Sequence, residues 1–287
     1  MNDHERRALL VALADSCLEI FPAGGIEERL NSLTRGASVA VTCSERHGID
    51  ATLELTERLV RDGFRVVPHL SARQVEDETH LEAVLDRLQG LDVHSLFVPG
   101  GDISPPIGTF NSALELLRAM ALMDHAITSI GIAAHPEGHP IVGTEELLEH
   151  LSAKQRHASY MVTQMCFDPV AINDWLTDVR ASGISLPVRI GLPGVIERKR
   201  LVTTALRIGV GQSAGFLRKQ KGLAGRLLAA PEYRPDDLLA GLAPLFADPA
   251  TGVSGLHFYT LNQIGGSESW RTSYAQRLQA ELPRTVG

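Results

Sequence analysis

The feature that most constrains this 287-residue chain is an alternation along its length. Short, β-branched apolar runs recur, and a longer stretch with helical periodicity separates each from the next. The runs fall at 17–21 (CLEIF), 37–43 (ASVAVTC), 65–70 (RVVPHL), 95–101 (SLFVPGG), 129–135 (SIGIAAH), 160–167 (YMVTQMCF), 187–193 (PVRIGLP) and 255–261 (GLHFYTL). Amphipathic stretches such as TLELTERLVRDG at 52–63, THLEAVLDRLQG at 79–90 and NSALELLRAMAL at 111–122 lie between them. Several runs are nearly continuous in hydrophobicity, as strands of a parallel sheet covered on both faces must be. Strict alternation of strand and helix implies parallel strands. Eight such units predict an α/β chain folded as a (β/α)8 TIM barrel, with a doubly wound open sheet as the alternative. The expected organisation is a single barrel domain over 1–287, with an added N-terminal helix at 1–14. The span 205–250 is long for one crossover. It is expected to hold extra helices between strands seven and eight, GQSAGFLRKQKG and PDDLLAGLAPLF, packed outside the barrel.

Composition excludes some functions. A formal net charge of -7, with no basic run longer than RKR at 198–200, argues against nucleic-acid binding. No apolar run reaches membrane-spanning length, and MNDHERRALL lacks the shape of a signal peptide. Cys17, Cys43 and Cys166 are scattered, with no CxxC pair, which points to a reducing cytoplasm and away from a disulfide scaffold or structural zinc.

A barrel of this kind places its site at the C-terminal ends of its strands. Polar residues fall there repeatedly: Glu19, Thr42, His69, Gly101 with Asp102, His135 and His139, Gln164, and Tyr259. Each also has a plain structural reading. Glu19 could be a surface carboxylate, His69 a satisfied core histidine, Asp102 a turn or cap residue. Asn262 could be a turn residue, and the cysteines buried apolar filler.

Histidines and carboxylates at strand ends also describe metal-dependent barrel hydrolases, and Glu19, His69, Asp102, His135 and His139 are ligands by type. Two features weigh against a metal. Pro136, Gly138 and Pro140 keep the HPEGHP segment from being a helix that would present both histidines on one face. The first strand also lacks a His-x-His pair. No metal is therefore expected, and the hydrolase remains an alternative.

The motifs LEIFP at 18–22, VT at 41–42, PHLS at 68–71, GGD at 100–102, AAHPEGHP at 133–140, VTQMCFD at 162–168 and HFYTLN at 257–262 occur in the order seen in methylenetetrahydrofolate reductases. The chain resembles that family over 17–265. The resemblance implies a (β/α)8 barrel that binds FAD and reduces 5,10-methylenetetrahydrofolate to 5-methyltetrahydrofolate with NAD(P)H, in one-carbon metabolism and methionine biosynthesis. By position, Glu19 resembles the general acid that protonates folate N10 and opens the imidazolidine ring. Its expected setting among Leu18, Ile20 and Phe21 would favour a retained proton. Asp102 matches the aspartate near the flavin pyrimidine edge and the pterin, and Gln164 the glutamine that contacts the pterin. Tyr259 falls with the substrate-binding residues. Thr42, His69, Gly101, His135, His139 and Lys154 fall where the family lines its FAD site.

The chain departs from the family at several cofactor positions. Gly100 stands where an arginine usually precedes Gly-Asp, and the usual Leu-Lys-Arg-Lys reads Leu151-Ser152-Ala153-Lys154. His135 replaces a tyrosine, and Gln263 an arginine. These departures keep two alternatives open: weak or absent FAD with direct hydride transfer from the nicotinamide, and oxidation of 5-methyltetrahydrofolate in a demethylation pathway. The expected partners are folate and NAD(P)H, with a homo-oligomer by resemblance, and neither nucleic acid nor membrane.

Overall fold

A computed structural model describes residues 1–139, 142–207 and 231–283. The expected strands all form, as β1 (Cys17–Ile20), β2 (Ser38–Val41), β3 (Arg65–Pro68), β4 (Ser95–Val98), β5 (Ser129–Ala134), β6 (Tyr160–Thr163), β7 (Val188–Pro193) and, after two short strands β8 (Ile196–Glu197) and β9 (Glu232–Tyr233), β10 (Val253–Tyr259). Among the described residues the helices are α1 (Asp3–Ala14), α2 (Ile26–Leu30), α3 (Gly48–Arg61), α4 (Glu78–Gly90), α5 (Ala113–Met120), α6 (Thr144–Lys154), α7 (Pro169–Ala181), α8 (Arg198–Arg207), α9 (Asp236–Ala247) and α10 (Ile264–Ala280).

The large sheet has eight strands in the order β3-β2-β1-β10-β7-β6-β5-β4, with every ladder parallel. Its two ends meet at a single bridge between His69 and Phe97, so the barrel is nearly closed. The sequence explains this thin seam. The His69 N–H donates to Val41 O on the β2 side, at 2.8 Å, and the Leu70 N–H to Phe97 O on the β4 side, at 2.9 Å. Backbone N–H groups alternate sides, so the nitrogen of Pro68 faces β4 and has no hydrogen to give.

Strand alternation sorts the core into two layers. Leu18, Ile20, Val39 and Val41 point outward and pack with Leu55 and Leu59 of α3. The fully buried leucines among them each contribute about 2 kcal/mol by removal from water. The inward positions mix polar and small residues, such as Ser38, Ala40, Ser95 and His257, with the larger Val67, Phe97, Tyr160 and Val162, and leave a cavity inside the barrel. Side chains of Asp77, Ser112 and Asp168 cap α4, α5 and α7, each satisfying a backbone N–H that the helix leaves unpaired. Asp168 is thus a helix cap.

The added N-terminal helix is present. Its Asn2–Glu5 capping box starts it, and Arg271 of α10 donates to Leu13 O near its end at 2.9 Å. The segment between β7 and β10 does carry additional helices, α8 and α9. The stretch GQSAGFLRKQKG at 211–222 lies outside the described residues. β8 and β9 form a short antiparallel ladder. It joins Met165 and Phe167 in a small apolar cluster with Leu201 and Tyr233. This explains why the apolar run at 160–167 continues past the end of β6. No described helix is long and apolar enough to cross a membrane.

Candidate active site

Glu19 sits on β1, and the strand's alternation turns it inward while burying Leu18 and Ile20 on the opposite side. The expected apolar setting is therefore corrected: its neighbours are polar groups of the barrel interior. Its Oε2 accepts a hydrogen bond from His257 Nε2 at 3.0 Å and lies 3.9 Å from His69 Nε2. The strand is held in place from β10 and the turn after it. Thr260 Oγ1 donates to the Glu19 carbonyl at 2.6 Å, and Asn262 bonds both the N–H and the carbonyl of Phe21, each at 2.9 Å. Asn262 adopts a left-handed φ of 60° to do this, so it is a clamp on β1 as well as a turn residue.

The two histidines beside Glu19 are driven in opposite directions. Burial pulls the His257 imidazolium down, but hydrogen bonds with Cys17 and the Glu19 carboxylate outweigh it and push the pKa up to about 9. Burial lowers His69 to about 4; the charge of Glu19 opposes this and that of His257 adds to it. At neutral pH His257 is charged and His69 is not. Burial and the charge of Glu19 raise the Tyr259 phenol well above its ordinary range. Its hydroxyl donates to Thr163 O at 2.9 Å. Its ring stacks edge-on with His257, centroids 5.0 Å apart, over Gly191, where a Cβ would meet the ring at 2.7 Å.

A second cluster forms at the exits of β5 and α6. The His135 and His139 rings meet edge-on, centroids 5.2 Å apart. Burial lowers His135 to about 4, helped by the charges of His139 and Lys154. Burial alone lowers Lys154 to about 8. Among the described residues no ion pair joins Lys154, so a half-buried cation here lacks a counter-charge. Glu137, in the same loop, accepts from the Cys166 thiol at 2.8 Å.

The remaining expected residues take up other positions at the strand ends, with Gln164 across from the His135 cluster, its N–H donating to Ala134 O at 2.7 Å. Thr42 is half-buried past β2, its carbonyl accepting from Thr52 Oγ1 at 3.0 Å. Gln164 Oε1 takes the Met165 N–H at 2.9 Å. Gly101 has a φ of 91° and packs so closely that a Cβ would lie 2.0 Å from Ser71 Oγ. This is what glycine does in that loop, and it leaves Asp102 exposed. The cysteines are more than filler. Cys17 faces His257 across the β1–β10 ladder, Cys166 donates to Glu137 at 2.8 Å, and Cys43 Sγ is 3.4 Å from Gln74 Oε1. Among the described residues no three His, Cys, Asp or Glu side chains form a group that could hold a metal ion.

His257 is the residue that strand-end reasoning missed. The signal was in the sequence. It lies two residues before Tyr259 on an alternating strand, hence on the same inward face, and pairs with Cys17 next to Glu19.

The model of the methylenetetrahydrofolate reductase family matches residues 27–205. "Methylenetetrahydrofolate reductase 1" of Schizosaccharomyces pombe is 28% identical over 155 residues, 53% of this chain and 25% of that protein. "Methylenetetrahydrofolate reductase 2" of Saccharomyces cerevisiae is 29% identical over 97 residues, 32% of this chain and 16% of that protein. "Probable methylenetetrahydrofolate reductase (NADPH)" of Caenorhabditis elegans is 25% identical over 200 residues, 62% of this chain and 30% of that protein. The matched regions thus span less than a third of each relative's length. The matched family segment holds Thr42, His69, Asp102, the His135 cluster and Gln164, while Glu19 and His257 lie outside it. The chain belongs to the methylenetetrahydrofolate reductase family.

Proposed function

We propose that this member of the family reduces 5,10-methylenetetrahydrofolate to 5-methyltetrahydrofolate with NADH or NADPH as hydride donor, and that Glu19 is the general acid. The observation that carries the reading is the Glu19–His257 pair, a carboxylate and an imidazole sharing one proton inside the barrel. The proton can move from Nε2 to Oε2 along that hydrogen bond, which leaves both groups neutral and makes Glu19 a proton donor. Glu19 then protonates folate N10. The bond from the bridging methylene to N10 breaks with its electron pair going to N10, and the methylene remains on N5 as an iminium that accepts hydride.

Other side chains fit supporting roles. Asp102 offers an acceptor for pterin N–H groups. Gln164, with its Oε1 already taken, offers its amide NH2. Tyr259 would contribute its ring, since its hydroxyl is committed to Thr163. The residues present also fit FAD. Lys154, with His135 and His139, provides a cation without a counter-charge beside two ring donors, which suits a diphosphate. His69 and Ser71, just past the C-terminal end of β3, belong to the proposed FAD lining by position. Thr42 and Gly101 complete the proposed lining. When bound, FAD would carry hydride between nicotinamide and folate.

The test is to mix the purified protein anaerobically with each nicotinamide and 5,10-methylenetetrahydrofolate, and to identify the product by mass spectrometry. Formation of 5-methyltetrahydrofolate supports the reading, and its absence with both donors ends it. A colourless protein that still forms the product would remove FAD and keep the reaction.

A further inference from the structure

The proposed reaction consumes one proton per turnover, and folate bound at the C-terminal face would shield Glu19 from solvent on that side. The barrel is open at its other end. A cavity of about 300 Å³ enters there. Its walls include Ser38, Ser95 and Ser129, at the starts of β2, β4 and β5. At its mouth Asp15 pairs with Arg189 at 2.7 Å and Arg65 at 3.5 Å. Its inner end reaches His69 and His257. A polar cavity of this size holds roughly ten waters at about 30 Å³ each. His69 Nε2 is buried with no hydrogen-bond partner and lies 3.9 Å from Glu19 Oε2, which is a place for such a water.

We propose that this cavity is the proton inlet of the site, with His257 passing protons from its water to Glu19 while folate occupies the opposite end. The inference rests on the folate-reducing reading above. The proton balance closes. Glu19 gives its proton to N10 and becomes a carboxylate. Neutral His257, whose Nδ1 keeps its proton, takes the next one at Nε2 from the cavity water between His69 Nε2 and Glu19 Oε2, and becomes imidazolium; that water regains its proton from bulk along the cavity. Transfer along the 3.0 Å bond then restores the acid. The groups facing His257 are Cys17 and Glu19 of β1, His69 beyond β3 and Tyr259 of its own strand. His257 acts through Glu19 and is a positioning and relay residue.

The experiment plugs the cavity far from Glu19 with Ser38→Leu/Ser129→Leu. In protein labelled with 15N-histidine and saturated with 5-methyltetrahydrofolate, which covers the C-terminal face, exchange of the His257 ring N–H with solvent is expected to slow at least tenfold. In rapid-quench experiments the first turnover keeps its rate, because its proton is already held in the pair. Steady-state turnover falls at least tenfold and its solvent isotope effect rises. Unchanged exchange and turnover in the folded variant would overturn the inlet. If the double variant does not fold, Ser129→Val alone is measured in the same way. If the wild-type protein forms no 5-methyltetrahydrofolate, the folate reading fails. The exchange measurement, made with 5-methyltetrahydrofolate bound over the C-terminal face, still decides whether the cavity supplies His257.

Discussion

His257 Nε2 donates to Glu19 Oε2 at 3.0 Å, across the ladder where the last strand of the barrel meets the first. Residues 238 positions apart in sequence thus form one acid–base unit. The unit is held rigidly, because Thr260 and Asn262, just beyond β10, fix the backbone of Glu19 and Phe21.

That pair makes stability depend on pH. His257 has a folded-state pKa of about 9 against an ordinary 6.5. Because the shift is upward, the stabilisation is fully present below about 6.5 and is lost as pH rises through about 9. Its size is on the order of 3 kcal/mol. Lys154, depressed to about 8, works the other way above that pH, so the contribution of His257 is read as a difference: in urea unfolding the stability advantage of wild type over His257→Gln should shrink as pH rises from about 6.5 to about 9. Equal slopes in the two proteins would mean that the pair is not coupled to folding.

Lys154 titrates at about 8 because burial disfavours its charge. A bound diphosphate would favour the charged form. FAD affinity, measured by fluorescence titration of apoprotein, is therefore expected to weaken as pH rises through about 8. Lys154→Met should weaken it about tenfold at neutral pH and remove this pH dependence. Wild-type-like binding by the variant would take Lys154 out of the cofactor site.

Gly101→Ala is expected to cost about 1–3 kcal/mol in urea unfolding, since alanine must adopt a φ of 91° with its Cβ 2.0 Å from Ser71 Oγ. Ser71→Ala in the same chain should recover part of the loss, by removing the clash while the backbone strain stays. No loss in the single variant would show that the loop carrying Asp102 relaxes freely.

Asn262→Ala removes both hydrogen bonds to Phe21 and puts alanine at a φ of 60°. The expected cost is about 2–4 kcal/mol. Folate reduction should fall with it even well below the melting temperature, because the backbone that aims Glu19 is loosened. A variant that loses stability and keeps full activity would show that the clamp serves folding alone.

Much of this was legible in the sequence, for a physical reason. The outward face of each barrel strand must be apolar to pack against the helices, and a helical stretch separates each short run from the next, so all the barrel strands announce themselves. The ladder of β8 and β9 is too short to leave a period in the sequence. The run at 160–167 overshoots β6 because Met165 and Phe167 are apolar for packing outside the barrel. The types of the site residues were visible at strand ends, but their grouping was not. Reading Leu18 and Ile20 as neighbours of the Glu19 carboxyl overlooked the alternation that sends them to the other face. The same alternation, applied to β10, would have placed His257 beside Glu19. The Lys154 cluster joins a strand exit to the end of a helix, a contact that only the fold supplies.

The most direct measurement is the folate half-reaction of Glu19→Gln beside wild type, followed by product formation under anaerobic conditions. The expected result is one 5-methyltetrahydrofolate per nicotinamide oxidised in the wild type. In the variant the rate should fall by about 10²–10⁴, the usual worth of a general acid, and if FAD carries the hydride its reduction by nicotinamide should be retained. Product formation by Glu19→Gln at the wild-type rate would contradict the assignment of Glu19 as the acid.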